Sequence, residues 1–346
     1  MKLIRKGWPC LLAFSLTLVL LSGCARVGKP AEEKPMLAFE DLNIQRGINM
    51  GNCLEAPTPG EWGVSIEPDH FRVIRQAGFD TVRLPVRFSA HTSAQPPYEI
   101  ESNFLQLGDE VISWALANDL RVVLDLHHYE QIMHDPQAER ERFLAIWEQL
   151  STHYQDAPPS LYFELLNEPQ QQLDAQTWNS LLAEALAVIR RSNPSRKVIV
   201  GGVDYSNIAS LAALQLPAEK NLIASFHYYE PFHFTHQGAS WVDGAEAWAG
   251  TLWQEDAEKK QAIREQLDNA AAWSRKQRVG LVLGEFGAIA VADQRSRQRW
   301  TAFIAREAEK RNIGWVYWDF CAEFRVYDCA SDEWDLPLLR SLVPEP

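Results

Sequence analysis

Two stretches decide how this chain reads: Leu161-Tyr162-Phe163-Glu164-Leu165-Leu166-Asn167-Glu168-Pro169 and Val279-Gly280-Leu281-Val282-Leu283-Gly284-Glu285-Phe286-Gly287. Each is a short apolar run that reads as a β-strand and ends on a carboxylate. Pro169 and the flanking glycines stop the strands just past Glu168 and Glu285. Working outward, strand-like segments recur near residues 44–50, 80–85, 121–127, 161–168, 197–202, 222–229, 279–285 and 313–319. Helix-like segments alternate with them near 69–77, 103–118, 138–154, 174–192, 206–214, 256–277, 293–311 and 333–342. Thr177 to Arg191 places Trp178, Leu182, Ala185, Leu186 and Ile189 on one helical face. Strands 121–126 and 279–283 are nearly continuous apolar runs, as in a parallel sheet covered by helices. Eight alternating units predict a TIM (β/α)8 barrel. No repeat or low-complexity linker follows residue 35, so residues 39–346 are read as one domain.

In such a barrel the C-terminal strand ends converge on one rim, where barrel enzymes keep their chemistry. The predicted strand ends deliver Arg83, His127, His128, Asn167, Glu168, His227, Tyr229, Glu285 and Trp318 to that rim. Taken singly, a strand-end Glu reads as a solvated or salt-bridged residue and a lone Trp as packing. Together they form a pattern. Two carboxylates facing one cleft are the equipment for cleaving a glycosidic bond. The tandem His127-His128 invites a metal-hydrolase reading, but adjacent strand residues point to opposite faces and no further His/Asp set completes a site; no metal and no cofactor are expected. His134 and His153 are read as surface residues. Asp125 and Glu164, deeper in their strands, are expected to be structural and to pair with Arg46 in the barrel floor, since a buried carboxylate without a partner is costly.

Composition sets the outer limits. The 346 residues are 46% hydrophobic and carry a formal net charge of −13. An acidic surface argues against nucleic acid as a partner and fits a neutral substrate. The N-terminus is separate. Lys2, Arg5 and Lys6 precede an apolar stretch from Leu11 to Leu21, too short for a permanent membrane span. Residues 1–23 are read as a signal peptide and 24–38 as a polar tether. Leu21-Ser22-Gly23-Cys24 resembles the lipobox of bacterial lipoproteins. It implies cleavage before Cys24, lipidation of its thiol and attachment of the exported protein to the outer membrane, because Ala25 is not the Asp that marks inner-membrane retention.

The mature chain resembles glycoside hydrolase family 5 over about residues 40–342, on Arg46-Gly47-Ile48-Asn49, Leu166-Asn167-Glu168-Pro169, His227-Tyr228-Tyr229 and Gly284-Glu285-Phe286-Gly287. Gly51-Asn52-Cys53-Leu54-Glu55-Ala56-Pro57 and Phe234-Thr235-His236-Gln237-Gly238-Ala239-Ser240-Trp241 are similar to its endoglucanase branch containing cellulase–mannanases. The resemblance implies a retaining β-1,4-glycanase with Glu168 as acid/base and Glu285 as nucleophile. Arg83 and Tyr229 would hold Glu285 ionised, and the charge of Glu285 would raise the pKa of Glu168. Asn167 would bond the sugar 2-hydroxyl, and His227 would orient Tyr229 or the acid. Asn52, Glu55, His127, His128, Trp241 and Trp318 would bind sugar. A β-1,4-linked polysaccharide is the implied partner, cellulose-type glucan first and mannan second, and the chain is expected to act as a monomer. A non-catalytic glycan-binding lipoprotein would require loss of one carboxylate, and a transglycosylase would share every catalytic residue.

Two departures from the branch stand out. Glu323 and Arg325 replace glycines in the eighth loop, where they either alter a subsite or form a local surface pair. Cys53, Cys321 and Cys329 all fall in loops after strands one and eight, neighbours in a closed barrel. Of the three pairings, Cys53–Cys329 is favoured over Cys321–Cys329 and over three free thiols, because Cys53 and Cys329 look like additions to the branch pattern whereas Cys321 resembles a position it already uses.

Overall fold

The computed structural model describes residues 44–344. Eight parallel strands close into a barrel in sequence order: β1 (Arg46–Asn49), β2 (Thr81–Val86), β3 (Arg121–Leu126), β4 (Leu161–Glu164), β5 (Val198–Gly201), β6 (Leu222–His227), β7 (Gly280–Phe286) and β8 (Gly314–Tyr317). Strand β1 closes the ring on β8 through the pairs Arg46–Trp315, Gly47–Val316 and Ile48–Tyr317. Around it lie α1 (Pro68–Gln76), α2 (Ser102–Ala117), α3 (Pro136–His153), α4 (Ala175–Ser192), α5 (Ala257–Gln277), α6 (Gln294–Glu309) and α7 (Leu336–Leu342). The (β/α)8 expectation holds.

Strand alternation sorts the side chains into layers. Val122, Leu124 and Leu126 face the helices, within the large core cluster. Val123 turns inward and joins Ile44, Tyr162, Ile199, Ile223, Val282 and Val316 in a separate apolar cluster inside the barrel. Two residues further along the strands the interior becomes polar. Asp125 follows Val123, Glu164 follows Tyr162 and Ser225 follows Ile223, all of them buried. Two residues on again, His127 and His227 reach the rim. The apolar plug is the floor on which the site stands.

Helix termini are fixed by side chains. Asp135, Asp174, Asp293 and Asp335 accept hydrogen bonds from Ala138, Thr177, Ser296 and Leu338 backbone N–H groups, satisfying donors that a helix start leaves unpaired. Buried indoles tie helices to the strand ends. Trp147 Nε1 donates to the Leu165 carbonyl at 3.0 Å, Trp178 to Gly201 at 2.9 Å and Trp300 to Glu230 at 3.0 Å.

Three expectations are corrected here. The helix expected at 206–214 is a 3-10 segment, Ile208–Ala213, opened by Asn207, whose side chain accepts from Ala209 N–H. Residues 333–334 pair with 327–328 as a small antiparallel ribbon, so the last helix begins at Leu336. Strand β4 ends at Glu164. The chain beyond it still bonds alternately to its neighbours, Leu165 N–H to the Ile199 carbonyl and Asn167 N–H to that of Leu126. Glu168, at φ 49°, then turns off the strand path.

The cysteine pairing is also corrected. Cys321 and Cys329 form the disulfide, with Cα atoms 5.8 Å apart, and Cys53 is a buried free thiol. The eighth loop folds back on itself, with Val326 and Tyr327 N–H both donating to the Phe320 carbonyl, which brings its own ends together. Cys53 instead sits in the core, 4% exposed. Cys24, the signal and the tether lie outside the described residues.

Candidate active site

Arg83 organises the barrel mouth. It projects inward from β2 and is 1% exposed. Its Nε and Nη2 grip Glu164 bidentately at 2.7 and 3.2 Å. Nη2 also meets Asp125 Oδ2 and Asn167 Oδ1 at 2.9 Å, and Nη1 donates to Asn49 Oδ1 at 2.9 Å and Glu285 Oε1 at 2.7 Å. A planar five-donor fork suits such convergent acceptors. The expected pairing of Asp125 and Glu164 with Arg46 is therefore overturned. Arg46 lies lower, where its Nε meets Glu309 Oε1 at 3.1 Å.

Glu285 and Glu168 face one another across this mouth. Glu285 takes a second bond from the Tyr229 hydroxyl, at 3.0 Å on Oε2. Burial pushes its pKa upward, while His227 and Arg83 pull it back toward the ionised form. Glu168 shares a 2.8 Å hydrogen bond between Oε1 and His227 Nδ1, and its side chain is 24% exposed toward the cleft. Burial raises its pKa to about 8, opposed by Arg83 and assisted by the charges of Asp125 and Glu164. Glu168 in turn acts to raise Glu285, so the two carboxylates repel one another across the mouth, and burial adds to the rise at Glu168. Burial lowers His227, so the ring is neutral and one proton is shared across its contact with Glu168. Gly284 leaves room for that ring, since a Cβ there would lie 3.1 Å from His227 Nε2.

One carboxylate oxygen from each glutamate and one imidazole nitrogen of His227 lie within 4.8 Å of one another, the grouping among the described residues that could hold a cation. The Arg83 guanidinium against Glu285 already places a positive charge there. The tandem histidines do different work. His127 Nδ1 bonds Asp125, and its ring lies parallel to Trp318 with centroids 5.8 Å apart. His128 meets Trp62 edge-on at 5.8 Å. Burial pushes His128 down to about 3, and His127 well below its usual range, so both are neutral at pH 7.

A cavity of about 1720 Å³ opens over the pair, lined by the expected Asn52, Glu55, His127, His128, Asn167, His227, Tyr229, Trp241 and Trp318. That exceeds a single small-ligand pocket. Gly51 packs against Trp318, where a Cβ would stand 3.0 Å from the indole. Glu55 shapes the first loop from within, accepting the Asn52 and Cys53 backbone N–H groups, and burial raises it to about 8. Asn52 Nδ2 donates to Glu323 Oε2 at 2.7 Å, so Glu323 ties the eighth loop to the first instead of pairing with Arg325.

Some residues escaped the sequence reading. Asn49, quoted within a motif but given no role, is fully buried and bridges Arg83 to the Gly284 and Tyr317 carbonyls. Trp62 and Tyr205 line the cavity while 42% and 57% exposed. An aromatic between Gly60-Glu61 and Gly63 was a usable signal for Trp62; nothing in the sequence singled out Tyr205.

A barrel with a close carboxylate pair at its C-terminal rim, held by an arginine and a histidine, has the architecture of a glycoside hydrolase. Residues 42–324 match the cellulase family, glycosyl hydrolase family 5, and the chain belongs to that family. Endoglucanase H of Acetivibrio thermocellus is 33% identical over 302 residues, covering 86% of this chain and 32% of that protein; this chain thus spans about a third of that relative's length. Among solved structures, Thermotoga maritima Cel5A in complex with cellobiose is 45% identical, with a TM-score of 0.86, covering 88% of this chain and 100% of that one. The same Thermotoga protein in complex with mannotriose gives the same values.

Proposed function

We propose that the chain is a retaining endo-β-1,4-glucanase acting by double displacement. The observation that carries this reading is the approach of the Glu168 and Glu285 oxygens to within 4.8 Å. This approach of the nearest oxygens fits the separation of about 5–5.5 Å between the carboxyl groups of retaining enzymes better than the roughly 6.5–9.5 Å of inverting ones. Glu285 attacks the anomeric carbon while Glu168 gives its proton to the departing glycosidic oxygen. Glu168, now ionised, takes a proton from water, whose oxygen attacks the same carbon and releases Glu285. Asn167 has its Oδ1 held by Arg83, which leaves its amide N–H groups for the sugar 2-hydroxyl. Trp318 and Trp241 offer flat faces to sugar rings.

The second reading within the class is mannan. It is favoured by the likeness to a Thermotoga protein solved with both cellobiose and mannotriose. Purified protein assayed on barley β-glucan, carboxymethyl-cellulose, glucomannan and mannan separates the two. Fastest release of reducing ends from the β-glucans supports the glucanase, fastest release from mannan supports the mannanase, and no release from any of them overturns the hydrolase reading. A non-catalytic glycan binder is disfavoured because both carboxylates are in place.

The lipobox supports export and lipid anchoring at Cys24, with residues 39–346 as the catalytic domain. Cys24→Ala is expected to move the protein from the membrane fraction to a soluble exported fraction. Mass spectrometry finding an unlipidated wild-type N-terminus at any residue other than 24 refutes the anchor.

A further inference from the structure

Strand β7 breaks its alternation just before Glu285. Val282 faces into the barrel, and strict alternation would turn Gly284 inward and Glu285 outward. The pairing with β6 instead steps from Phe226–Leu283 to His227–Glu285, passing over Gly284. Such a bulge re-aims a side chain, and here it brings Glu285 inward to Arg83. Gly284 keeps its inward aspect, with its carbonyl held by Asn49 Nδ2 at 3.1 Å.

Two buried polar atoms meet over that glycine. A Cβ on Gly284 would stand 2.6 Å from Ser225 Oγ and 3.1 Å from His227 Nε2. Ser225 is fully buried and His227 is 4% exposed. Neither atom has a hydrogen-bond partner among the described residues. Ser225 precedes His227 by two residues on β6, so the two side chains share one face of the strand. A buried donor or acceptor left unpaired is costly.

The other ring nitrogen decides which of the two is the donor. His227 Nδ1 lies 2.8 Å from Glu168 Oε1 and 3.6 Å from Glu285 Oε2. If Glu168 begins the reaction as an acid, it carries the proton of its contact with His227, and Nδ1 accepts. A neutral imidazole has one N–H. Its hydrogen then sits on Nε2 and needs an acceptor, and the Ser225 hydroxyl faces the same glycine.

We propose that Ser225 is a positioning residue: its hydroxyl oxygen accepts the Nε2 hydrogen of His227 over Gly284, directly or through one water, and so keeps Nδ1 bare toward Glu168. This rests on the hydrolase reading above. With the tautomer held, protonated Glu168 donates to Nδ1 until the glycosidic oxygen takes its proton. The ionised carboxylate then faces a lone pair instead of an N–H, which favours its taking a proton back from water. In the opposite tautomer Nδ1–H would stabilise ionised Glu168 and weaken the acid. Arg83, Asp125, Glu164, Glu285, His127 and Tyr229 also act on this pair, and all of them remain in Ser225→Ala.

The test labels the histidines with nitrogen-15 and reads the His227 tautomer by NMR at pH 7, its signals being assigned by their loss in His227→Gln. The wild type is expected to carry hydrogen on Nε2, and Ser225→Ala to shift it toward Nδ1. In Ser225→Ala the alkaline limb of kcat/KM on cellohexaose should move down by about one pH unit. The same variant should lose less on 4-nitrophenyl β-cellobioside, whose leaving group needs little protonation. Hydrogen on Nδ1 in the wild type overturns the proposal and requires no variant. So does a Ser225→Ala protein in which either the tautomer or the alkaline limb is unchanged. Wild-type protein with hydrogen on Nε2 that cleaves neither substrate fails the hydrolase reading alone, a distinct result.

Discussion

Glu285→Ala is expected to lower turnover on β-glucan by on the order of 10⁴-fold or more, as when a covalent nucleophile is removed. Glu168→Ala should cost about 10²–10⁴-fold, the range of a general acid–base group. The two losses differ in kind. In Glu285→Ala the carboxylate proposed to attack the anomeric carbon is gone while the proposed acid remains. Added azide should enter from the vacated face and give a glycosyl azide of inverted configuration. In Glu168→Ala the nucleophile remains, so substrates with good leaving groups should suffer least. The pH profile separates the roles further. Burial lifts Glu168 to about 8, and the acid must be protonated to act, so kcat/KM should decline as pH rises through about 8. Glu285 must be ionised, so the acidic limb belongs to it, above the usual carboxylate value because its own burial shifts it upward. Glu168→Ala assayed on an activated aryl glycoside should lose the alkaline limb and keep the acidic one. Near wild-type activity in either alanine variant, or an alkaline limb that survives Glu168→Ala, ends the double-displacement assignment.

What the sequence could and could not reveal follows from the range of each interaction. Alternation along a strand is local, so the inward set of β3, Val123 then Asp125 then His127, could be read by counting in twos. Arrival of Glu168 and Glu285 at one rim followed from parallel strands alone. The partner of a buried carboxylate is different, because strand tilt decides which inward residues share a layer. That tilt brings Arg83 of β2, and not Arg46 of β1, level with Asp125 and Glu164. The disulfide depended on how the loop after β8 folds back on itself, which strand adjacency does not specify. Tyr205 was invisible for a third reason. It sits in a run of left-handed backbone, with φ of 53°, 61° and 53° at Asp204, Tyr205 and Ser206, and no local residue pattern announces such a run.

Arg83→Met should have the largest effect on stability. The guanidinium is the shared counter-charge of Asp125, Glu164 and Glu285, and it also occupies acceptors on Asn49 and Asn167. Removing one partner of a buried ion network leaves uncompensated charge and costs about 3–5 kcal/mol. For a domain of this size that is a fall in Tm on the order of 10 °C. The sign of its pH dependence is fixed. Asp125 is raised to about 7 by burial even with Arg83 beside it, and Arg83 acts to lower it; Arg83 likewise lowers Glu164 and Glu285. Without the arginine all three bind protons more tightly in the folded state. As pH rises above the usual carboxylate value, the unfolded chain ionises while the folded variant retains its protons, so stability falls with increasing pH. The deficit of Arg83→Met relative to wild type should therefore be smaller at pH 5 than at pH 8. Arg83→Lys restores one positive charge but not the planar fork, and should recover part of the Tm while leaving Glu164 without its bidentate partner. Thermal denaturation of the three proteins across that pH range is decisive: a deficit that shrinks toward pH 8, or an unchanged Tm in Arg83→Met, would mean that the carboxylates are held by something other than Arg83.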